Sequence, residues 1–184
     1  MKNFKILFLF LFISFFSFAQ NANRVFNNAE FRDGEFLIVE VNDGIYRIQF
    51  YNSKIVETTF IPQNESLKPN SHAVVLKPVY AYIKFNQKEN SVDFSSKEIS
   101  VKIQKSPFQI LYYYKDKLIT SEKQGYFKSK HESMDLVKGN IVADETEKIE
   151  FNLTTDEVLY GAGARALGMN RRGSRLPLYN RAQY

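Results

Sequence analysis

The sequence contains no cysteine and only two histidines, His72 and His131. Without cysteine there is no disulfide framework, no thiolate metal site and no lipid attachment through a cysteine. Two isolated histidines are too few for a convincing zinc site, and we interpret them as surface residues. The sequence therefore predicts no metal site and no cofactor.

Sustained helical periodicity is also missing. Only Ala29–Asp33 and Glu132–Lys138 have the composition for a short helical turn, and there is no repeat or low-complexity linker. The 184 residues have room for one domain. A hydrophobic content of 44% and an aromatic content of 15% are enough for a packed core, which argues against wholesale disorder.

The excess of positive charge is small. The formal net charge is +5, and it falls to about +3 once Lys2 and Lys5 are removed with the N-terminal segment described next. A mildly basic chain does not by itself indicate nucleic acid. The lysines are scattered among glutamates instead of pairing with aromatic residues, so we expect no nucleic-acid partner.

Residues 1–19 form a candidate signal peptide. Lys2 and Lys5 precede an apolar run from Ile6 to Phe18, and small residues lie at Ser17 and Ala19. The competing interpretation is a membrane anchor, but the run is shorter than the ~20 residues that span a bilayer. We expect cleavage after Ala19 and no stable membrane span in the mature protein. We expect a secreted bacterial protein that is periplasmic, on the cell surface or extracellular.

The body of the chain has strand periodicity. Glu35–Val41, Ile45–Tyr51 and Lys54–Ile61 are separated by short turns, of which Asp43-Gly44 suits a tight hairpin. These three segments predict an antiparallel meander. Further strands are predicted at Val74–Leu76, Val79–Phe85, Ser91–Phe94, Glu98–Gln104, Phe108–Tyr114, Leu118–Thr120, Lys148–Leu153 and Val158–Tyr160. The spacing of roughly 8–12 residues is typical of an all-β sandwich or barrel.

Several candidate motifs have plain structural interpretations. Asp156 and Glu157 are adjacent in a turn, so they cannot face each other across a glycosidic bond as a catalytic pair would. In Tyr112-Tyr113-Tyr114 only the first and third share a strand face, which favours packing over a stacking platform. Gly161-Ala162-Gly163 lacks the lysine and hydroxyl of a phosphate loop and is followed by no convincing helix. The arginines at 165, 171, 172 and 175 fit a solvated loop, an inter-domain salt-bridge surface or a site for neighbouring carboxylates.

The C-terminal stretch carries the most specific pattern. It contains, in order, Glu157-Val158-Leu159-Tyr160-Gly161-Ala162-Gly163, Arg165, Arg171-Arg172-Gly173 and Leu178-Tyr179-Asn180. This arrangement resembles the end of the N-terminal β-sandwich of glycoside hydrolase family 31, the α-glucosidase and α-xylosidase family. The family pattern is an acidic residue, Leu or Ile, Tyr-Gly-x-Gly-Glu-Arg, a spacer with Arg-Gly and an aromatic-Asn pair. Ala164 departs from it, because the family usually has Glu there.

The resemblance implies a division into three parts. After the signal peptide come a galactose-mutarotase-like, antiparallel β-sandwich at 20–160 and an irregular junction segment at 161–184. The chain would be the truncated front of a retaining α-glycosidase, whose catalytic aspartates lie in a (β/α)8 barrel that follows. We therefore expect no catalytic residue in this chain, and we expect the missing barrel and an α-linked oligosaccharide as partners.

The same resemblance implies candidate substrate contacts in the junction segment. Arginine and asparagine donate hydrogen bonds to hydroxyls, and tyrosine stacks on a pyranose face. The candidates are Arg165, Asn170, Arg172, Tyr179 and Asn180. The alternative hypothesis is a free-standing carbohydrate-binding or interaction β-sandwich with no hydrolase partner.

Overall fold

The computed structural model describes residues 24–67, 74–79, 82–135, 140–162 and 168–176. The candidate signal peptide, Ala164, Arg165, Tyr179 and Asn180 lie outside these residues. The chain divides into two compact units, Met1–Asn152 and Leu153–Tyr184, which we call unit 1 and unit 2. The expected change from sandwich to junction segment was after residue 160, and that boundary remains a prediction.

Unit 1 is built from ten strands. They are β1 (Phe26–Arg32), β2 (Phe36–Val41), β3 (Gly44–Asn52), β4 (Ile55–Pro62), β5 (Lys84–Gln87), β6 (Ser91–Ser95), β7 (Ile99–Lys105), β8 (Phe108–Tyr114), β9 (Lys117–Asp135) and β10 (Asn140–Asn152). The first four form one sheet in the order β1-β2-β3-β4, and the other six form a second sheet in the order β10-β9-β8-β7-β6-β5. All neighbours pair antiparallel. The expected all-β, antiparallel sandwich is confirmed.

The core lies between the two sheets. Tyr46, Ile48 and Phe50 alternate along β3 and are almost fully buried, as are Val101 and Ile103 on β7. Period-2 alternation places such residues on one strand face, and here that face is the buried one. The rings of Phe50 and Phe94 lie 5.0 Å apart and join one sheet to the other. Burial of each large apolar side chain contributes about 1.5–3 kcal/mol before entropy is counted.

Several expectations about the strands were wrong. Ala29–Asp33 is no helical turn, because residues 29–32 belong to β1, and the start of Glu132–Lys138 belongs to β9. Residues 74–79 form no strand, and β5 starts only at Lys84. Val158–Tyr160 is also irregular. Apolar composition was misleading here, because Val75 is 92% exposed and a strand needs a half-buried surface on which its side chains can pack.

The last two strands are much longer than expected. The predicted Leu118–Thr120 and Lys148–Leu153 are parts of β9 and β10, which have 19 and 13 residues. Strand β8 pairs with β9 over Lys117–Ser121. In the described part of the chain, β9 then continues with β10 as a two-stranded hairpin. None of the described residues forms a helix that could cross a membrane.

Candidate functional site

Two of the five candidate substrate contacts, Asn170 and Arg172, are described, and both lie in unit 2. Asn170 holds the backbone of this unit. Its Oδ1 accepts hydrogen bonds from the backbone N–H of Leu159 at 3.2 Å and of Arg172 at 3.0 Å. The backbone N–H of Arg171 donates to the Leu159 carbonyl at 2.7 Å. Asparagine favours such local contacts over regular secondary structure.

Arg172 joins the same loop to the preceding turn. Its Nη1 donates to the carbonyl oxygens of Thr154 at 2.6 Å and Glu157 at 3.0 Å. The turn itself is closed by Glu157 Oε2, which accepts from the Thr154 N–H at 3.0 Å. Asp156 and Glu157 therefore form the polar turn that the sequence predicted. The two carbonyls orient the Arg172 guanidinium, which keeps its positive charge.

The glycine-rich segment is shaped by left-handed backbone and by Arg171. Gly161 has φ +111° and Ala162 has φ +63°. Arg171 donates from Nε to the Gly161 carbonyl at 3.2 Å and from Nη1 to the Gly168 carbonyl at 2.6 Å. Side-chain bonds to backbone carbonyls thus organise the described part of unit 2. The structure brings Asn170 and Arg172 together, and the arrangement can present hydrogen-bond donors to a polar ligand.

A second polar site lies in unit 1 and was missed by sequence reasoning. We call Arg24, Tyr46, Tyr112 and Glu122 the buried polar cluster. The Glu122 carboxylate accepts a hydrogen bond from the Tyr46 hydroxyl at Oε2 and from the Tyr112 hydroxyl at Oε1, each at 3.0 Å. Arg24 Nη1 contacts the Tyr46 hydroxyl as well. The cluster links β3 of one sheet to β8 and β9 of the other.

Arg24 is anchored on the other side of the cluster. Its guanidinium donates to Asp43 from Nε at 2.8 Å and from Nη2 at 2.6 Å, and Nη2 also donates to the Tyr126 carbonyl at 2.8 Å. Its Cζ lies 4.2 Å from the centre of the Phe60 ring. A planar guanidinium can make these in-plane hydrogen bonds and stack at the same time. Arg24 therefore fixes the segment just before β1 to β4 and β9.

Burial governs the protonation of this cluster. Burial raises the pKa of Glu122, although hydrogen bonds from Tyr112 and Tyr46 and the charge of Arg24 oppose it. Burial and the neighbouring Glu122 carboxylate raise the pKa of Tyr46 and of Tyr112. For Arg24, burial lowers the pKa but the Asp43 hydrogen bond and nearby negative charge outweigh it, so the net shift is upward. At neutral pH both tyrosines are hydrogen-bond donors.

The buried polar cluster cannot receive a sugar. Glu122 is 5% exposed, and the cavity next to it has a volume of about 10 Å³. Such a volume accommodates at most a single water. The only sequence signal is a glutamate in Ser121-Glu122-Lys123-Gln124, which looks like any polar turn. The described residues contain no group of three acidic or histidine side chains placed to hold a metal ion.

The sequence matches the family described as glycosyl hydrolase 31 N-terminal galactose mutarotase-like domain over residues 45–184. No curated protein matches the chain.

Two solved proteins are similar in structure. One is a glycoside hydrolase family 31 α-xylosidase from Xanthomonas citri, with a TM-score of 0.60 and 19% identity over 78% of this chain. The other is an uncharacterized protein from Listeria monocytogenes, with a TM-score of 0.52 and 16% identity over 82% of this chain. A second crystal structure of the Listeria protein contains α-D-glucose, β-D-glucose, magnesium and calcium. At these identities the likeness concerns the fold, and this chain spans 16% of the xylosidase and 14% of the Listeria protein.

Proposed function

The chain belongs to the glycosyl hydrolase 31 N-terminal galactose mutarotase-like domain family, and from that premise we propose that it is the non-catalytic N-terminal domain of a secreted, retaining α-glycosidase. The family match over residues 45–184 is the observation that carries the proposal. The substrate would be an α-linked oligosaccharide. The domain would pack on a catalytic (β/α)8 barrel of the same polypeptide and shape the entrance to its sugar pocket.

The described sites support a non-catalytic role for this domain. Glu122 is enclosed between the sheets, and Asp156 and Glu157 are adjacent in one turn. Retaining hydrolysis needs two carboxyl groups about 5–5.5 Å apart on either side of the scissile bond. Neither the enclosed Glu122 nor the adjacent Asp156 and Glu157 provides such a pair across an open cleft. Catalysis would therefore be supplied by another part of the enzyme.

Unit 2 is the part that we propose contacts substrate. Asn170 Oδ1 is used by two backbone N–H groups, so its Nδ2 is the group that would donate to a sugar hydroxyl. Arg172 is oriented by its two carbonyl contacts and would donate from its other nitrogens. Arg165, Tyr179 and Asn180 remain candidates with the same chemistry.

Hydrolysis by the polypeptide that the gene encodes tests this proposal. The reading frame should continue beyond the Tyr184 codon into several hundred residues of alternating strand and helix. The encoded protein should release p-nitrophenol from an α-glucoside or α-xyloside with retention at the anomeric carbon. A stop codon after Tyr184, or turnover by residues 1–184 alone, would contradict the proposal. A stop codon combined with sugar binding would instead favour a free-standing carbohydrate-binding sandwich.

Asn170→Asp separates substrate contact from loop structure in the same assay. Aspartate keeps an acceptor oxygen for Leu159 and Arg172 but loses the amide donor. Loss of one hydrogen bond to substrate should lower kcat/KM about 2- to 10-fold. Arg32→Lys, at an exposed ion pair in unit 1, is the control. An unchanged kcat/KM in Asn170→Asp would show that this residue serves the loop alone.

A further inference from the structure

A cavity of about 300 Å³ lies in unit 1, between the end of β4 and the β9–β10 hairpin. This volume is at the lower end of the range for small-molecule sites. Its base contains the half-buried rings of Phe60 and Tyr126, whose centroids are 5.3 Å apart and whose planes are inclined by 34°. Leu67 lines the same cavity. The cavity therefore offers aromatic and aliphatic surface to a small ligand.

Arg24 and the close approach of Gly44 hold the aromatic base in place. Arg24 lies 4.2 Å from the centre of the Phe60 ring and donates to the Tyr126 carbonyl. Gly44 allows Phe60 to approach, because a Cβ at position 44 would lie 2.7 Å from its ring. These contacts fix the rings before any ligand arrives. Prior fixation of binding residues lowers the entropy that binding must overcome.

The rim of the cavity is polar and rich in acceptors. Glu65 Oε1 pairs with Lys128 Nζ at 2.7 Å, and the Tyr126 hydroxyl hydrogen-bonds to Glu147. Glu65 and Glu147 both line the cavity. Two carboxylates and one ammonium give this rim a net negative charge. It therefore suits a ligand that donates hydrogen bonds and carries no negative charge of its own.

We propose that this cavity binds a neutral saccharide, with the C–H face of one pyranose on Tyr126 and its hydroxyls donating to Glu65 and Glu147. A pyranose combines an apolar face with several hydroxyl donors, which matches the aromatic base and the acceptor-rich rim. The choice of a saccharide among polyhydroxylated ligands rests on the proposed function. The location and the preference for a neutral ligand come from the cavity itself.

Affinity electrophoresis of the gene's full polypeptide tests the site, with maltoheptaose and xyloglucan oligosaccharides competing against an immobilised α-glucan. Tyr126→Leu should weaken the competing saccharide about tenfold, and Glu147→Gln should weaken it by a smaller factor. Tyr82→Leu is the matched control, because Tyr82 is 83% exposed and does not line the cavity. An oligogalacturonide, which is anionic, should compete more weakly than the neutral sugars. Circular dichroism melting of each variant shows whether it is folded.

The outcomes separate this site from the proposed function. Hydrolysis with equal saccharide affinity in Tyr126→Leu and Tyr82→Leu would overturn the cavity site and leave the α-glycosidase proposal intact. Binding that depends on Tyr126 without any hydrolysis would support the site and overturn the enzyme. If Tyr126→Leu is unfolded, the folded Glu147→Gln decides: an affinity equal to that of Tyr82→Leu overturns the site.

Discussion

Glu122 is buried in a hydrogen-bonded cluster between the two sheets, although its sequence context gives no sign of this. It is preceded by Ser121 and followed by Lys123 and Gln124, a polar context that indicates a turn. Its burial arises from Tyr46, 76 residues earlier in the chain, and from Tyr112 on the neighbouring strand. Pattern reasoning uses neighbours in sequence, so it cannot detect such a partner. The inward side of β3 was predictable because its alternation is local.

The protonation of Glu122 should make stability fall with pH. Because burial raises its pKa in the folded protein, the native state binds this proton more tightly than the unfolded state does. The stabilisation is therefore present below the unfolded value near 4.5 and is lost as pH rises through the native pKa. Glu122→Gln does not titrate and should lack this loss. Chemical unfolding of both proteins from acid to neutral pH measures the difference.

The pH dependence of this difference in unfolding free energy has an upper limit. One proton changes the free energy of unfolding by at most about 1.4 kcal/mol per pH unit. Wild-type stability relative to Glu122→Gln should decline across the window and be flat on either side. A relative stability that rises with pH would mean that Arg24 and the tyrosine donors outweigh burial.

At the scale of elements, the bulge between β9 and β10 is what admits the buried polar cluster. The pairing register shifts between Glu150 and Phe151, opposite Gly125. Gly125 has φ +63°, and a Cβ there would overlap Glu122 Oε2 and lie 2.8 Å from the Tyr46 hydroxyl. Two residues of β9 are inserted between Glu122 and Gly125 at this point, and extra residues at a bulge re-aim the side chains beside them. Here the bulge turns Glu122 toward the core.

Gly125→Ala and Gly34→Ala separate steric overlap from backbone strain. Both glycines have positive φ, but a Cβ at Gly34 meets nothing within 4 Å. Gly34→Ala should cost about 1 kcal/mol for the left-handed backbone. Gly125→Ala should cost about 1–3 kcal/mol more, because the added methyl group displaces Glu122 or Tyr46. Thermal unfolding monitored by circular dichroism measures both, and equal losses would exclude the proposed overlap.

The elements also show where sequence patterns succeed. β2, β3, β4, β7 and β8 were expected within one or two residues, since each has a clear turn signal at its ends and all but β4 have buried residues. Most of β9 and β10 was missed because Lys123–Lys130 and Glu145–Glu150 are largely polar. Largely exposed strand segments lose the apolar alternation that marks a half-buried strand. In the candidate site, the resemblance implied Asn170 and Arg172 as substrate contacts, which stays a prediction, whereas their hydrogen bonds to the backbone of residues 11 to 18 positions earlier were not foreseen.

At the scale of the whole molecule, the two units differ in how they are held together. Both sheets contribute side chains to the continuous hydrophobic core of unit 1. The described part of unit 2 contains no strand, and its Leu159, Tyr160 and Met169 side chains are exposed. Segments with few buried apolar contacts open at low free-energy cost. The stability of unit 1 is therefore expected to be much the greater.

Limited proteolysis of the 184-residue chain should reveal this difference. Cleavage should occur after Tyr160 and leave a fragment that contains residues 24–152, because exposed irregular backbone is the preferred protease substrate. Mass spectrometry of a trypsin and chymotrypsin time course identifies the sites. Survival of residues 161–184 while unit 1 is digested would contradict the expectation. The same digestion of the gene's full polypeptide provides the comparison for the cleavage sites.

The contact between Arg24 and the Tyr126 carbonyl spans 102 residues of chain. A ribosome, or an export channel that moves the chain from its N-terminus, releases Arg24 long before Tyr126. The guanidinium can pair with Asp43, 19 residues later, as soon as that residue appears, but it can reach the Tyr126 carbonyl only once β9 has emerged. Contacts of such long sequence separation slow folding. The formation of this long-range contact is therefore timed by the arrival of the ninth strand.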